Sequence, residues 1–360
     1  MISIKSETRL PRFSVDWTLG ALSAVPFAYP KEPFYWIILS IFFLGLCRFR
    51  VLRKDLQNLL LILLLILLVS LVNFFNGVYV VSIYATYLSL FLLLFRYIVE
   101  NHEEYFLGFA FVTSIYAFAT FAAFFVLRPY TNGLLMFINS EYRMWAEGYL
   151  IEWPNVFSAF LVIGAFIHFV FQNTKLASLH FAAAILTTSR TALLALIVLA
   201  FFYLHKGQSK VKYIYAILVI SIFIATYIFF NSDDMFVSFI FDRLIKTGDR
   251  GEIYTKLIES SFNSLSGIGN VPFNDIDDMF DSYHSSYLKV LTRYGVLGLV
   301  LYTAITYPKG FFKHGFLEIN LPILFIIICG IVQDFMFHMH IIAVYSVLLS
   351  YRETVLQRSD

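Results

Sequence analysis

Charge is what this chain most lacks. Only 14% of its 360 residues are Asp, Glu, Lys or Arg, whereas a soluble globular domain carries about a quarter. A chain so poor in charge cannot be water-soluble throughout. Cysteine is scarce as well. Cys47 and Cys329 stand apart, in or beside apolar segments, so neither a disulfide framework nor a thiolate metal-ligand spacing is present. The net charge is only +2, which leaves no electrostatic case for nucleic acid as a partner. Ten-residue segments of alternating polarity are missing, which excludes a membrane β-barrel. Internal repeats and inverted-half symmetry are missing too, and their absence weighs against a transporter.

What fills the chain is hydrocarbon. Hydrophobic residues make up 59% of it, with 41 Phe and 23 Tyr, rings that lipid-facing and interfacial surfaces favour. Residues 59–72 are Leu, Ile or Val apart from Ser70, between Arg53-Lys54-Asp55 and Asn73. Such a run needs a membrane around it. Apolar segments recur at residues 17–29, 34–47, 57–74, 79–99, 105–127, 155–171, 177–188, 191–204, 213–230, 287–307, 320–336 and 339–351. They predict an all-α polytopic membrane protein, a single transmembrane domain over residues 1–360 with about twelve helices. Several of these segments fall short of the roughly 20 residues a crossing needs. No small-residue cleavage site follows the polar, basic residues 1–12, so the first span is expected to be retained.

Placing the N-terminus inside gathers basic residues in the cytoplasmic segments, among them Arg48, Arg50, Arg53, Lys54, Lys206, Lys210 and Lys212. The positive-inside rule then puts both termini in the cytoplasm. Lys289 and Arg293 fall within the tenth span. Two long loops face outward in this arrangement, residues 128–154 and residues 231–286. The second lies between spans 9 and 10 and is expected to be partly helical. Short basic tethers on the inner side direct attention to the outer face.

Within the long loop, Asp249-Arg250-Gly251-Glu252 reads as a helix start, with Asp249 as cap and Glu252 bonding back. Arg250 and Tyr254 share a neighbouring face, and Gly267-Ile268-Gly269 ends the helix. Structurally this is a surface helix with a solvated arginine; functionally, Arg250 is a cation at the membrane surface. Arg190 sits between two apolar segments with almost no loop. It either snorkels to headgroups or meets a phosphate, whose oxygens suit the planar fork of a guanidinium. His284 lies in Tyr283-His284-Ser285-Ser286-Tyr287, which closes the long loop and opens the span bearing Gly295 and Gly298. It is either an interfacial ring or a general base for a hydroxyl acceptor. Asp334 is an intramembrane acid and a functional suspect on that ground. Asp275, Asp277, Asp278 and Asp281 lack the Gly and Glu of a calcium loop, and His338 and His340 lack further ligands for zinc.

Taken together these positions resemble the bacterial O-antigen ligase and O-antigen polymerase superfamily. Its Arg-x-x-x-Leu element is matched by Arg190-Thr191-Ala192-Leu193-Leu194. Its His-[Asn/Ser/Gln]-x9-Gly-x-x-[Gly/Thr/Tyr] element is matched by His284-Ser285, nine residues, Gly295, two residues and Gly298. The stretch from Arg143 through Gly148 to Pro154-Asn155 is similar to the family's external loop, and that from Asp249 to Gly269 to its Arg…aromatic…Gly-x-Gly pattern, with Tyr254 where tryptophan is common.

The resemblance implies a membrane glycosyltransferase of the bacterial inner membrane with a periplasmic active site. It implies inverting transfer of a glycan from undecaprenyl diphosphate, independent of metal and without a cofactor. His284 and Arg190 are then the expected catalytic residues, and Arg250, Arg143, Tyr254, Ser285, Tyr287 and Asp334 the expected substrate-binding ones. The expected partners are the lipid-linked oligosaccharide, the bilayer and a chain-length regulator. The compact chain and its His284-Ser285-Ser286-Tyr287-Leu288 segment lean toward polymerase. The alternative is a ligase that uses lipid A–core as acceptor.

Overall fold

Residue identity alone accounts for the first long helix. The computed structural model describes residues 14–24, 48, 56–77, 90, 92–127, 154–186, 191, 194–195, 197–199, 267, 285–308, 318–332 and 339–357. These residues are helical with turns between, and no strand occurs among them. Helix α1 is Val15–Ala24, α2 is Leu56–Phe75, α3 is His102–Leu127, α4 is Pro154–Val170, α5 is Thr174–Leu186, α6 is Ser286–Thr306, α7 is Asn320–Val332 and α8 is Met339–Gln357. In α2, Ile62, Leu65, Val69 and Val72 are buried, and the opposite face leaves Leu60, Leu63, Leu64, Leu67 and Leu71 exposed. A helix apolar all round whose outer face has no protein partner is built for lipid. The stripe Leu107, Phe111, Ile115 and Phe118 on α3 is exposed in the same way.

Among the described residues, Leu56–Phe75, His102–Ala122 and Ser286–Thr306 are long and apolar enough to cross a membrane by length and composition. The all-α membrane class is therefore what the structure has, while the expected number of about twelve spans is not confirmed. Helices α5 and α7, at 13 residues each, reach only about 20 Å at 1.5 Å per residue.

Small residues set the closest packing. A Cβ on Gly20 of α1 would stand 1.8 Å from the Tyr105 carbonyl oxygen, and one on Gly108 of α3 2.0 Å from that of Trp17. The two backbones touch, which only glycine permits at such a crossing. The same pair is clipped by charge. Asp16, 3% exposed, accepts from Arg48 at 3.1 Å and from the Asn101 amide at 3.0 Å, and Arg48 reaches Glu100 at 2.7 Å. Burial pulls the Arg48 pKa down, but Glu100 and Asp16 more than reverse this and leave it raised.

The segment expected to end a span at residue 99 is instead a 3-10 turn, Leu93–Tyr97. Its shape follows from long-range bonds. The Ser346 hydroxyl of α8 donates to the Leu93 carbonyl at 2.6 Å and accepts from the Arg96 amide at 3.2 Å. The Arg96 guanidinium meets Glu353 at 2.8 Å. Helix α8 accordingly runs past residue 351, its expected end, because Arg352 is buried and donates to Asn320 of α7 at 2.9 Å.

Helix α6 corrects a further expectation. Residues 287–307 read as one crossing, and the segment is indeed helical over 286–306. It is not straight. Gly295 has φ 68° and ψ −172°, a region essentially restricted to glycine. Along an unbroken helix, Tyr287 and Tyr302 would be about 22 Å apart. Their ring centroids are 5.8 Å apart, and the side chains of Tyr287 and Thr306 are hydrogen-bonded. The arms 286–294 and 296–306 thus double back at Gly295. Length and composition qualify α6 as a span, but the ring contact overrides that classification.

Candidate functional site

The described part of the site is the start and the break of α6. Its first residue follows the cap Ser285, whose hydroxyl accepts from the Leu288 amide at 3.4 Å and donates to the Gly330 carbonyl of α7 at 3.5 Å. Serine suits this position because its short side chain satisfies one of the orphan amides of the first turn. Ser285 is 2% exposed, and with its hydroxyl engaged on both sides it fixes where α6 begins. Tyr287 is half-buried, its ring against Tyr302 and its hydroxyl side against Thr306. The Tyr345 phenol of α8 in turn donates to the Thr306 carbonyl. Both feet of the doubled helix are therefore tied to the α7–α8 pair.

At the break, a second stretch of chain arrives. Gly267 has φ +75°, and a Cβ there would lie 2.4 Å from the Arg293 carbonyl oxygen and 2.6 Å from the Gly295 nitrogen. Two glycines with left-handed φ meet backbone to backbone. Gly267 was expected to end the loop helix, and Gly295 was read as a residue of the following span. The structure brings the two together and gives Gly295 the additional task of turning the chain. Irregular backbone at membrane depth is tolerated where it is buried in protein or lines a wet cavity, and Gly295 is buried. Among the described residues, Gly295 is the only one with positive φ inside a helix. A matched break in a second half, the transporter signature, is not among them.

Arg190, His284, Arg250, Arg143, Tyr254 and Asp334 lie outside the described residues. Lys289 and Arg293 are described, both half-buried and four residues apart on the first arm of α6.

A polar cluster deeper in the bundle was not anticipated from sequence. His168 of α4 and His180 of α5 have ring centroids 4.8 Å apart. The Leu176 carbonyl is 2.8 Å from His180 Nδ1, so that nitrogen donates, and Nε2 lies 3.3 Å from the Thr113 hydroxyl, which also reaches the Ala110 carbonyl at 3.1 Å. The Ser114 hydroxyl donates to the Ala110 carbonyl at 2.7 Å, leaving His168 Nε2 to donate to Ser114 at 3.1 Å. Gly164 makes room, since a Cβ there would be 2.4 Å from Thr113 Oγ1. Through these contacts the cluster joins α3, α4 and α5 as interhelical hydrogen bonds do in membranes. The available signal was two histidines inside otherwise apolar runs.

No curated protein matches the chain. Residues 176–303, which hold Arg190, Arg250, His284, Gly295 and Gly298, match the family model Wzy_C, O-antigen ligase. That match supports the O-antigen ligase and polymerase superfamily as the one this chain resembles.

Proposed function

We propose that this membrane protein is a glycosyltransferase that moves a glycan from undecaprenyl diphosphate to the hydroxyl of another lipid-linked repeat unit, an O-antigen polymerase. The acceptor oxygen attacks the anomeric carbon from the face opposite the phosphate. A new C–O bond forms as the old one breaks, the configuration inverts, and the bonding pair leaves on the diphosphate. The acceptor proton passes to His284, an imidazole of near-neutral pKa. Arg190, with Arg250 and Arg143, neutralises charge on the departing diphosphate in place of a metal ion. Tyr254, Tyr287 and Asp334 line the sugar side, and Ser285 holds the residue before it in position. The site faces the periplasm of the inner membrane, both termini are cytoplasmic, and a chain-length regulator is the expected protein partner.

What supports this reading most is the contact of Gly267 with Gly295. It ties the end of the loop segment carrying Arg250 and Tyr254 to the helix that starts directly after His284. The printed description of the matched family, O-antigen ligase, favours a second reading, in which the acceptor is lipid A–core. Reconstitution with purified lipid-linked repeat units separates the two. Polymer formed without lipid A–core is the expected result. Transfer only when core is added would establish the ligase, and no transfer in either mixture would overturn the glycosyltransferase reading.

A further inference from the structure

We infer that Thr306 and Tyr345 are positioning residues for glycan transfer, holding the first turn of α6, and through it His284, where the acceptor loses its proton. The inference rests on the glycosyltransferase reading above and adds two residues that act through the backbone of α6. Thr306 is the last residue of α6 and is 1% exposed. Its carbonyl is one of the final four that an α-helix leaves without an intrahelical partner, and the buried Tyr345 phenol of α8 donates to it. The Thr306 hydroxyl donates to the Tyr302 carbonyl at 2.8 Å. A threonine hydroxyl has one proton to give, so in its bond with Tyr287 the phenol donates and Thr306 accepts. Thr306 thereby links the first turn of α6 to α8, using its side chain and its carbonyl at once.

The levels of these bonds agree with one another. The bond between Arg352 and Asn320 sets the last turns of α8 beside the start of α7. From that bond, Gly330 lies ten residues along α7 and Tyr345 seven residues back along α8, about 15 Å and about 10 Å at the helical rise. Ser285 bonds to the first and Thr306 to the second, so the two feet of α6 stand within about 5 Å of one another in depth. The first turn is thus fixed at two points, by Ser285 on α7 and by Tyr287 on Thr306. His284 is one residue before the Ser285 cap in sequence. A general base works only within hydrogen-bond reach of the proton it takes, and a displacement of about 1 Å costs about a hundredfold in rate. With Ser285 still in place, loss of the second fixing should cost about tenfold.

The test uses the full chain in lipid vesicles, with purified lipid-linked repeat units as substrate and lipid A–core supplied so that either acceptor is served. Rates are compared well below the Tm of each variant, so that folded protein is measured. Thr306→Val removes the hydroxyl and keeps the shape, Tyr345→Phe removes the donor to the Thr306 carbonyl, and Thr306→Ser retains the hydroxyl. Thr306→Val and Tyr345→Phe are each expected to lower kcat about tenfold with KM within about twofold, as loss of an interaction felt in the transition state does. Thr306→Ser is expected to restore kcat to within about threefold of the unsubstituted protein. Unchanged kcat in Thr306→Val and Tyr345→Phe, beside an active unsubstituted protein, overturns this inference alone. A loss confined to KM, or a Thr306→Ser as slow as Thr306→Val, overturns it too. Failure of both Thr306→Val and Tyr345→Phe to fold assigns the bonds to packing and likewise overturns it. An inactive unsubstituted protein overturns it together with the glycosyltransferase reading.

Discussion

Replacing Gly295 by alanine tests the doubled-back α6 directly. At φ 68° and ψ −172°, an L-residue is strained by about 1–3 kcal/mol. At about 1.4 kcal/mol per tenfold, that shifts the balance between folded and straightened arms by roughly five- to 150-fold. The two states differ greatly in length. Leu288 and Thr303, fifteen residues apart in sequence, would stand about 22 Å apart on a straight helix. Packed antiparallel arms bring their axes to about 8–10 Å. Spin labels at these two positions, with Cys47 and Cys329 replaced, report the separation by dipolar spectroscopy. The unsubstituted glycine should give the short distance, and Gly295→Ala should shift population toward the long one and reduce glycan extension. A single population near the straight-helix length in the protein with Gly295 would refute the reasoning. So would an unchanged short distance in the alanine variant, since the strain would then be absent.

Other outcomes follow from the same geometry. Arg190→Ala and His284→Ala should each abolish glycan extension while membrane insertion and detergent-extracted melting stay near normal, and full-length polymer from either variant would remove the proposed mechanism. Gly108→Ala should destabilise, although alanine usually strengthens a helix interior by about 1 kcal/mol, because its Cβ would meet the Trp17 carbonyl at 2.0 Å; a raised Tm contradicts the backbone contact. Arg48→Ala should lower stability by about 1–2 kcal/mol, the buried Asp16 losing its ion pair while the part-exposed arginine limits the effect, as thermal unfolding would record. Thr113→Val should cost about 1 kcal/mol by removing the hydroxyl between His180 Nε2 and the Ala110 carbonyl, with glycan transfer unaffected; lost transfer at unchanged stability would make the histidine cluster part of the catalytic path.

The long helices were legible from sequence because burial in lipid demands uninterrupted apolar residues, as residues 59–72 illustrate. The starts of α3 and α4 fell within a few residues of the expected places, Pro154 standing where its fixed φ suits a first helical position. The break in α6 was not legible. Gly295 lies in a run, Tyr294 to Tyr302, with no proline or polar residue to announce a turn, and a glycine there serves equally to let helices approach. Its conformation is decided by Gly267, remote in sequence. The 3-10 turn at Leu93–Tyr97 was hidden for the same reason, since its partners Ser346 and Glu353 come from the far end of the chain. For the candidate site, the arginine and histidine elements were visible as spacings. Sequence also named Ser285, yet not that both sides of its hydroxyl are occupied.

The bond between Arg96 and Glu353 joins residues 257 positions apart, and that separation has a consequence for biogenesis. At about 5–20 residues per second of synthesis, the guanidinium emerges roughly ten seconds to a minute before its carboxylate exists. Until then the 93–97 turn also lacks the Ser346 hydroxyl that receives and supplies its backbone bonds. The 93–97 turn therefore gains these bonds only once α8 has been made. A chain stalled before that helix would hold a buried Arg96 without the Glu353 carboxylate that completes its pairing.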